Sequence, residues 1–249
     1  RSRSVLLSTI LCAAFVPTLI TFYDQQTSMF ALFLLSVAYY GLQRGRHGLA
    51  GAALALALFK PQTVVLVVLV SLFRVRRRGL VAFGTTLGVL LLIGFALMPD
   101  WPLRWWASAS WLTREAGRAV PTVWGLSWHL FSRYWPGVVL SAGVLAGVAL
   151  NTEFSFVLTS GLLLPVYMKP YDLVLLLIPA SSRDSRKLLG VLVLASYVLL
   201  AYVALSGRGG DVFIVLTIIA YAWLVYQDRA PMVRRLRHLR SWACLHLRA

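Results

Sequence analysis

Ten apolar runs, at about 5–22, 27–42, 48–59, 62–73, 80–98, 137–150, 154–168, 170–180, 188–206 and 212–227, fill most of this chain and, apart from the segment 99–136 and the C-terminal tail, leave only short polar joints. That pattern constrains the backbone before any side chain is considered. In hydrocarbon every N–H and C=O must find a partner within the protein, so apolar runs of this kind fold as α-helices and keep irregular backbone inside the bundle. Hydrophobic residues make up 59% of the 249, and mean hydropathy is +0.78. The expected fold is all-α: a polytopic transmembrane helical bundle over 1–228 with short or broken helices, then a basic tail at 229–249.

Several runs are too short to cross alone. A helix of 12 residues covers about 18 Å of a roughly 30 Å hydrocarbon core, so 48–59 and 62–73 read together, as a short hairpin or one kinked span. Charge arbitrates the sides. The net charge of +16 resides largely in Arg clusters beside apolar runs, which is a topogenic pattern and not a nucleic-acid footprint. Arg44, Arg46 and His47 precede the 48–73 unit and Arg74, Arg76, Arg77 and Arg78 follow it, so both flanks are expected in the cytoplasm, with Lys60 pointing outward. The same rule puts Arg183, Arg186, Lys187 and the tail from Arg229 to Arg248 inside. The expected location is a multi-pass cell membrane, of prokaryotic plasma-membrane type. The start, RSRSVLLSTILCAAF, has neither an initiator Met nor a small-residue cleavage site and reads as internal. Cys12 and Cys244 lie far apart in this topology, so neither a disulfide nor a metal framework is expected.

Residues 99–136 then form an extracytoplasmic loop with seven of the nine Trp, namely Trp101, Trp105, Trp106, Trp111, Trp124, Trp128 and Trp135. Trp favours the head-group zone, and Arg104, Arg114, Arg118 and Arg133 among them either meet lipid phosphates or snorkel into water. With Pro99, Pro102, Pro121 and Pro136 as punctuation, the loop is expected to hold a short interfacial helix.

Lys60-Pro61 and Lys169-Pro170 each interrupt an apolar run. A lysine at the centre of a membrane costs roughly 2.5–3.5 kcal/mol on insertion scales, so it faces a cavity or snorkels to an interface. The proline lacks an N–H and pushes the residue before it out of helical geometry, which places each Lys on a turn. A cation on such a turn suits an anionic lipid head group. The two neighbourhoods, LALALFKPQTVVLVVLVSLFRVRRR and LLLPVYMKPYDLVLLLIPASSRDSRK, echo each other weakly; an internal repeat or two outward hairpins with basic stops both account for that.

Three segments carry a family likeness. Asp24-Gln25-Gln26-Thr27 opens one apolar run, HGLAGAALALALFKPQTVVLVVLVSLFRVRRR over 47–78 joins a small-residue helix to a Lys-containing turn, and KPYDLVLLLIPA occupies 169–180. In this order they resemble glycosyltransferase family 87, the polyprenol-phosphate-sugar-dependent, mannosyltransferase-like membrane proteins of the GT-C superfold. The resemblance implies transfer of a mannose-like sugar from a polyprenyl-phosphate donor on the extracytoplasmic side to a lipid or glycan acceptor, with Lys60 holding the donor phosphate. It also implies a catalytic Asp in a first outward loop, which precedes the aligned residues and is expected to be missing.

Candidates follow from chemistry and place. Lys60 and Lys169 are expected at the donor phosphate and Gln25 and Gln26 at sugar hydroxyls, with Asp24, Asp100 and Glu115 as possible acid-base groups. Asp172, three residues after Lys169, is expected to pair with it locally or to orient an acceptor. His129, amid Trp124, Trp128 and Tyr134, is either a sugar contact or structural. No zinc spacing, phosphate-loop glycine motif or Ser-His-Asp signature occurs, so neither metal nor cofactor is expected, and the partners are the lipid-linked donor, the acceptor and membrane lipids, not nucleic acid. The competing functions are a transporter or flippase for lipid-linked substrates and a noncatalytic scaffold.

Overall fold

The computed structural model describes residues 2–107, 120–181, 186–206 and 210–236, and every regular element among them is helical. In chain order these are α1 Ser2–Ala14, α2 Val16–Tyr23, α3 Ser28–Gln43, α4 His47–Ala57, α5 Pro61–Leu72, α6 Arg77–Leu97, α7 Val123–Phe131, α8 Trp135–Leu150 and α9 Phe154–Leu163. A 3₁₀ helix over Pro170–Leu176 leads into α10 Leu177–Ser181, followed by α11 Arg186–Ser206, a 3₁₀ turn Gly210–Phe213 and α12 Ile214–Gln227. Residues 101–107 and 229–236 are helical as well. The Trp-rich loop thus does hold helix, at 101–107 and in α7; Trp111, Arg114, Glu115 and Arg118 lie outside the described residues, as do Arg183 and the tail from 237 to 249.

Prolines set many of the boundaries. Pro17 stands in the first turn of α2, and the run 5–22 becomes two helices that meet at 61° about Phe15. Pro61 starts α5, Pro136 lies in the first turn of α8 and Pro170 starts the 3₁₀ helix. The run 154–168 stays helical only to Leu163, because Pro165 has no N–H for the ladder and its ring crowds the preceding turn. Two helices, Arg77–Leu97 and Lys187–Ser206, are long and apolar enough to cross a membrane, and α1 with α2 makes a third if counted as one bent span. The chain is an all-helical membrane protein.

Burial sorts the elements. α9 is buried from Phe156 through Leu163 and packs against α5, α8 and α12, so a helix apolar all round sits where its pattern requires, in the centre. The 3₁₀ helix beside it buries Asp172 to Leu176. α6 is the opposite, with none of its membrane-length apolar window buried. It touches the bundle through glycine: a β-carbon on Gly51 of α4 would overlap the carbonyl oxygen of Gly79, and one on Gly79 would lie 2.7 Å from the carbonyl oxygen of His47. Small residues let the two backbones meet, which supplies the close packing that drives association where lipid competes for apolar contact.

Arg46 and His47, at the start of α4, line the same cavity as Arg76, Arg77 and Arg78, beyond the end of α5. The chain therefore runs out along α4 and back along α5. Of the two arrangements open to 48–73 the short hairpin is the one adopted, with Lys60 at its tip.

The Gly51–Gly79 contact yields a test. Gly51→Leu should drive α4 and α6 apart and destabilise the protein by at least the 1–3 kcal/mol, roughly, of an overpacked core. Gly84→Leu, where a β-carbon meets nothing within 4 Å, should leave the midpoint of thermal unfolding in detergent unchanged.

Candidate functional site

Pro61 confines Lys60 to a non-helical backbone (φ −123°, ψ 65°), and the Lys60 N–H closes α4 by donating to the carbonyl of Ala57 at 3.2 Å. Pro170 does the same to Lys169 (φ −111°, ψ 157°). A third break, Asp24–Thr27 between α2 and α3, brings in Ser28 as the first residue of α3. These three interruptions of helix converge.

Lys60 donates from Nζ to Ser28 Oγ at 2.7 Å and forms an ion pair with Asp172 Oδ1. Ser28 in turn donates to the same carboxylate oxygen at 2.6 Å, as a hydroxyl with one proton and two lone pairs allows. The other oxygen of Asp172 accepts the backbone N–H of Lys169 at 3.3 Å, while the Asp172 N–H donates to the Lys169 carbonyl at 3.0 Å. The Tyr171 ring lies 4.9 Å from Lys60 Nζ, within cation–π range. Thr21 of α2 adjoins the group, its hydroxyl proton shared between the Pro17 carbonyl at 2.6 Å and the Tyr171 carbonyl at 3.0 Å. Lys60 is 8% exposed and Asp172 2%, so the pair is shielded from water.

The expected pairing of Asp172 with Lys169 is not the one formed. Asp172 serves as the cap of its own 3₁₀ helix, which turns its carboxylate inward, towards the cation with the larger need of a partner. Lys169 is left half-buried with its ammonium 5.8 Å from the Tyr167 ring, and among the described residues no carboxylate pairs with it. Lys60, expected as a cation open to a ligand, is instead neutralised within the fold.

Gln25 occupies a left-handed turn (φ 52°), exposed beside Asp24, and the Gln26 side-chain amide donates to the Asp24 carbonyl at 3.0 Å. This turn runs directly into Ser28 at the start of α3, which places it at the rim of the Lys60 group. The remaining candidates lie elsewhere. Asp100 is half-buried and pairs with Arg104 at 2.6 Å, one helical turn on, and Glu115 is outside the described residues. His129, on α7, lines a separate apolar cavity of about 410 Å³ with Leu126, Val198, Leu199, Tyr202 and Val212. Its neighbour Trp124 is tied to the fold by a 2.7 Å hydrogen bond to the Leu164 carbonyl, whereas Trp105, Trp106 and Trp135 are exposed.

Sequence reasoning passed over Ser28, Tyr171 and Thr21. Only Tyr171 carried a signal, since an aromatic ring directly after Lys-Pro can cover a cation. Ser28 and Thr21 are small polar residues at helix edges and resemble dozens of others.

The buried pair makes a quantitative prediction. Lys60→Ala leaves the Asp172 carboxylate buried with no cation, a change that costs about 3–5 kcal/mol. Lys60→Met combined with Asp172→Leu removes both charges and should regain most of that loss, which a double-mutant cycle on unfolding in detergent measures.

Neither the curated proteins nor the solved structures contain a match to the chain. A protein-family model, glycosyltransferase family 87, matches residues 1–151. The matched span contains the Asp24–Gln26 turn, Ser28 and Lys60, and it ends before Asp172. Because the match covers more than half of its length, the chain belongs to glycosyltransferase family 87.

Proposed function

We propose that this membrane glycosyltransferase takes a mannose-like sugar from a polyprenyl-phosphate donor at an extracytoplasmic site and gives it to a lipid or glycan acceptor. The observation that carries the reading is the convergence of three helix breaks on a buried Lys60–Ser28–Asp172 cluster with an unpaired cation, Lys169, beside it. Irregular backbone at membrane depth persists only where protein buries it or a cavity needs it, and carbonyls and ammoniums at such breaks are the usual means of holding a polar ligand.

Roles follow from exposure and charge. Lys169 meets the donor phosphate as a point charge, and Tyr167 and Tyr171 flank it. Lys60 stands behind, held in place by Ser28 and Asp172. Gln25 and Gln26 supply donors and acceptors for sugar hydroxyls. Asp172 is engaged on both oxygens, so Asp24, exposed at the rim, is the carboxylate free to take a proton. The acceptor hydroxyl attacks the anomeric carbon, the bond from that carbon to the phosphate oxygen breaks, and polyprenyl phosphate departs with the electron pair while the hydroxyl proton passes to Asp24.

Charge placement supports the outward side. The Arg44–Arg46 and Arg74–Arg78 clusters mark the cytoplasmic face under the positive-inside rule. From there α4 and α3, of 11 and 16 residues, reach Lys60 and Ser28 after about 17 and 24 Å, beyond the middle of a roughly 30 Å core. Residues 99–136 are then outside and the tail from 229 is inside, as a multi-pass cell-membrane protein. A carrier for lipid-linked substrates would employ the same cations, and membership of a glycosyltransferase family favours transfer.

Lys169→Gln is the discriminating variant, because it leaves the buried pair intact. It should weaken binding of a polyprenyl phosphate in matched detergent about tenfold, the worth of one charge-assisted phosphate contact, with the unfolding midpoint unchanged. Equal binding by this variant and wild type would sink the donor-phosphate reading. For the sides, Tyr134→Cys in a Cys12→Ser, Cys244→Ser background should react with an impermeant maleimide from outside intact cells, and Gln43→Cys only after the membrane is opened. The reverse pattern would move the site to the cytoplasmic face.

A further inference from the structure

At the end of the α4–α5 hairpin opposite Lys60 lies a cavity of about 660 Å³ lined by Gly45, Arg46, His47, Gly48, Arg76, Arg77 and Arg78. Positive charge near a helix end is ordinary for a membrane protein and needs no concave shape. Here two separate chain segments bring four arginines around one hollow, with the Arg46 guanidinium also 5.9 Å from the Tyr40 ring. Among the described residues none of the four forms an ion pair with a carboxylate, although Arg74 next to them pairs with Glu153 and donates to the Thr152 carbonyl. Nothing acidic offsets this charge from the backbone either: α4 and α6 both begin at the cavity, neither has an acidic residue in its first turn, and no side chain caps either start. Gly48 leaves the hollow open, since a β-carbon there would meet nothing within 4 Å.

We propose that this cavity binds the phosphate group of an anionic amphiphile. Arginine forks match phosphate oxygens in pairs, and the uncapped helix starts add N–H donors of the same sign. The source of the phosphate is a membrane lipid. α6 rises directly from Arg77 with Leu80 47% and Val81 60% exposed, so an acyl or prenyl chain tethered to a phosphate in the cavity has an apolar helix face to lie along. This site stands apart from the Lys60 cluster and does not depend on the donor reading.

The test uses the full chain in nanodiscs of phosphatidylcholine with a minor fraction of phosphatidic acid, and counts the lipid retained through a detergent wash by native mass spectrometry. Wild type should enrich phosphatidic acid over phosphatidylcholine. Gly48→Leu puts an apolar side chain at the wall of the hollow without altering any charge, and leucine is the better helix former, so the fold and the topology survive. It should lower retention of phosphatidic acid about tenfold, as the loss of one paired phosphate contact would. Changing Arg76, Arg77 and Arg78 together to Lys keeps the charge and removes the forks, and should lower it similarly. Arg234→Gln, which removes one charge from the exposed tail, should retain lipid like wild type. Inorganic pyrophosphate is the second arm: displacement of the lipid by it supports a phosphate site that free anions also reach, and failure to displace supports the tethered lipid. Retention by Gly48→Leu equal to that of wild type, or no preference for phosphatidic acid, would overturn the proposal and leave only diffuse surface attraction.

Discussion

A lysine in the interior of an apolar bundle stays charged only if a counter-charge is built in beside it, and the Lys60–Asp172 pair meets that need. Much of the architecture serves the pair. Pro61 and Pro170 hold their neighbours out of helix so that an ammonium and a carboxylate from distant parts of the chain share one pocket, and Ser28 saturates what the two leave open. The desolvation cost of such a pair is several kcal/mol per ion, and its attraction does little more than offset it. Apolar residues of equal volume would stabilise the bundle as well or better, so stability alone gives no reason for charge at this place.

The class of fold was legible because hydrocarbon allows so few solutions: long apolar runs and basic stops led directly to helices, and prolines marked their ends. Places where polarity and geometry compete were less legible. The run 154–168 looked continuous, since Pro165 is one residue in an apolar stretch, yet it decides where α9 ends. The hairpin at 48–73 was one of two possibilities until Arg46 and Arg76 were found around a common cavity. At the site both lysines and Asp172 stood out, because charge in an apolar run is rare, but spacing linked the wrong two. Proximity in sequence favours Lys169 with Asp172, and only the fold reveals that Lys60 is the more deeply desolvated cation. Gly48 shows the same limit, since it stands in the same small-residue helix as Gly51, which packs on Gly79, yet a β-carbon at 48 would meet nothing within 4 Å.

The charges at the two ends of the hairpin differ in a way that bears on what each could hold. Near Lys60 the fold supplies Asp172 against one lysine, and among the described residues no carboxylate pairs with Lys169, while Asp24 stands in the turn that leads into Ser28. A sugar joined to a polyprenyl phosphate is a phosphodiester with one negative charge, which on the proposed reading faces Lys169 while Asp24 stands as a second anion at the rim. Transfer then moves negative charge. On that reading the acceptor proton neutralises Asp24, and the departing polyprenyl phosphate becomes a monoester whose second ionisation lies near pH 6, so it carries nearly two charges at neutral pH. As charge grows on the leaving oxygen, Lys169 gains a stronger partner and the rim loses a competing anion, and a cation fixed in advance in a poorly solvated place acts most strongly at that moment. Lys60, with Asp172 as its ground-state partner, stands next to that growing charge. On the proposed reading the site is therefore better fitted to the transferring phosphate than to the resting donor, which is the condition for catalysis as distinct from binding.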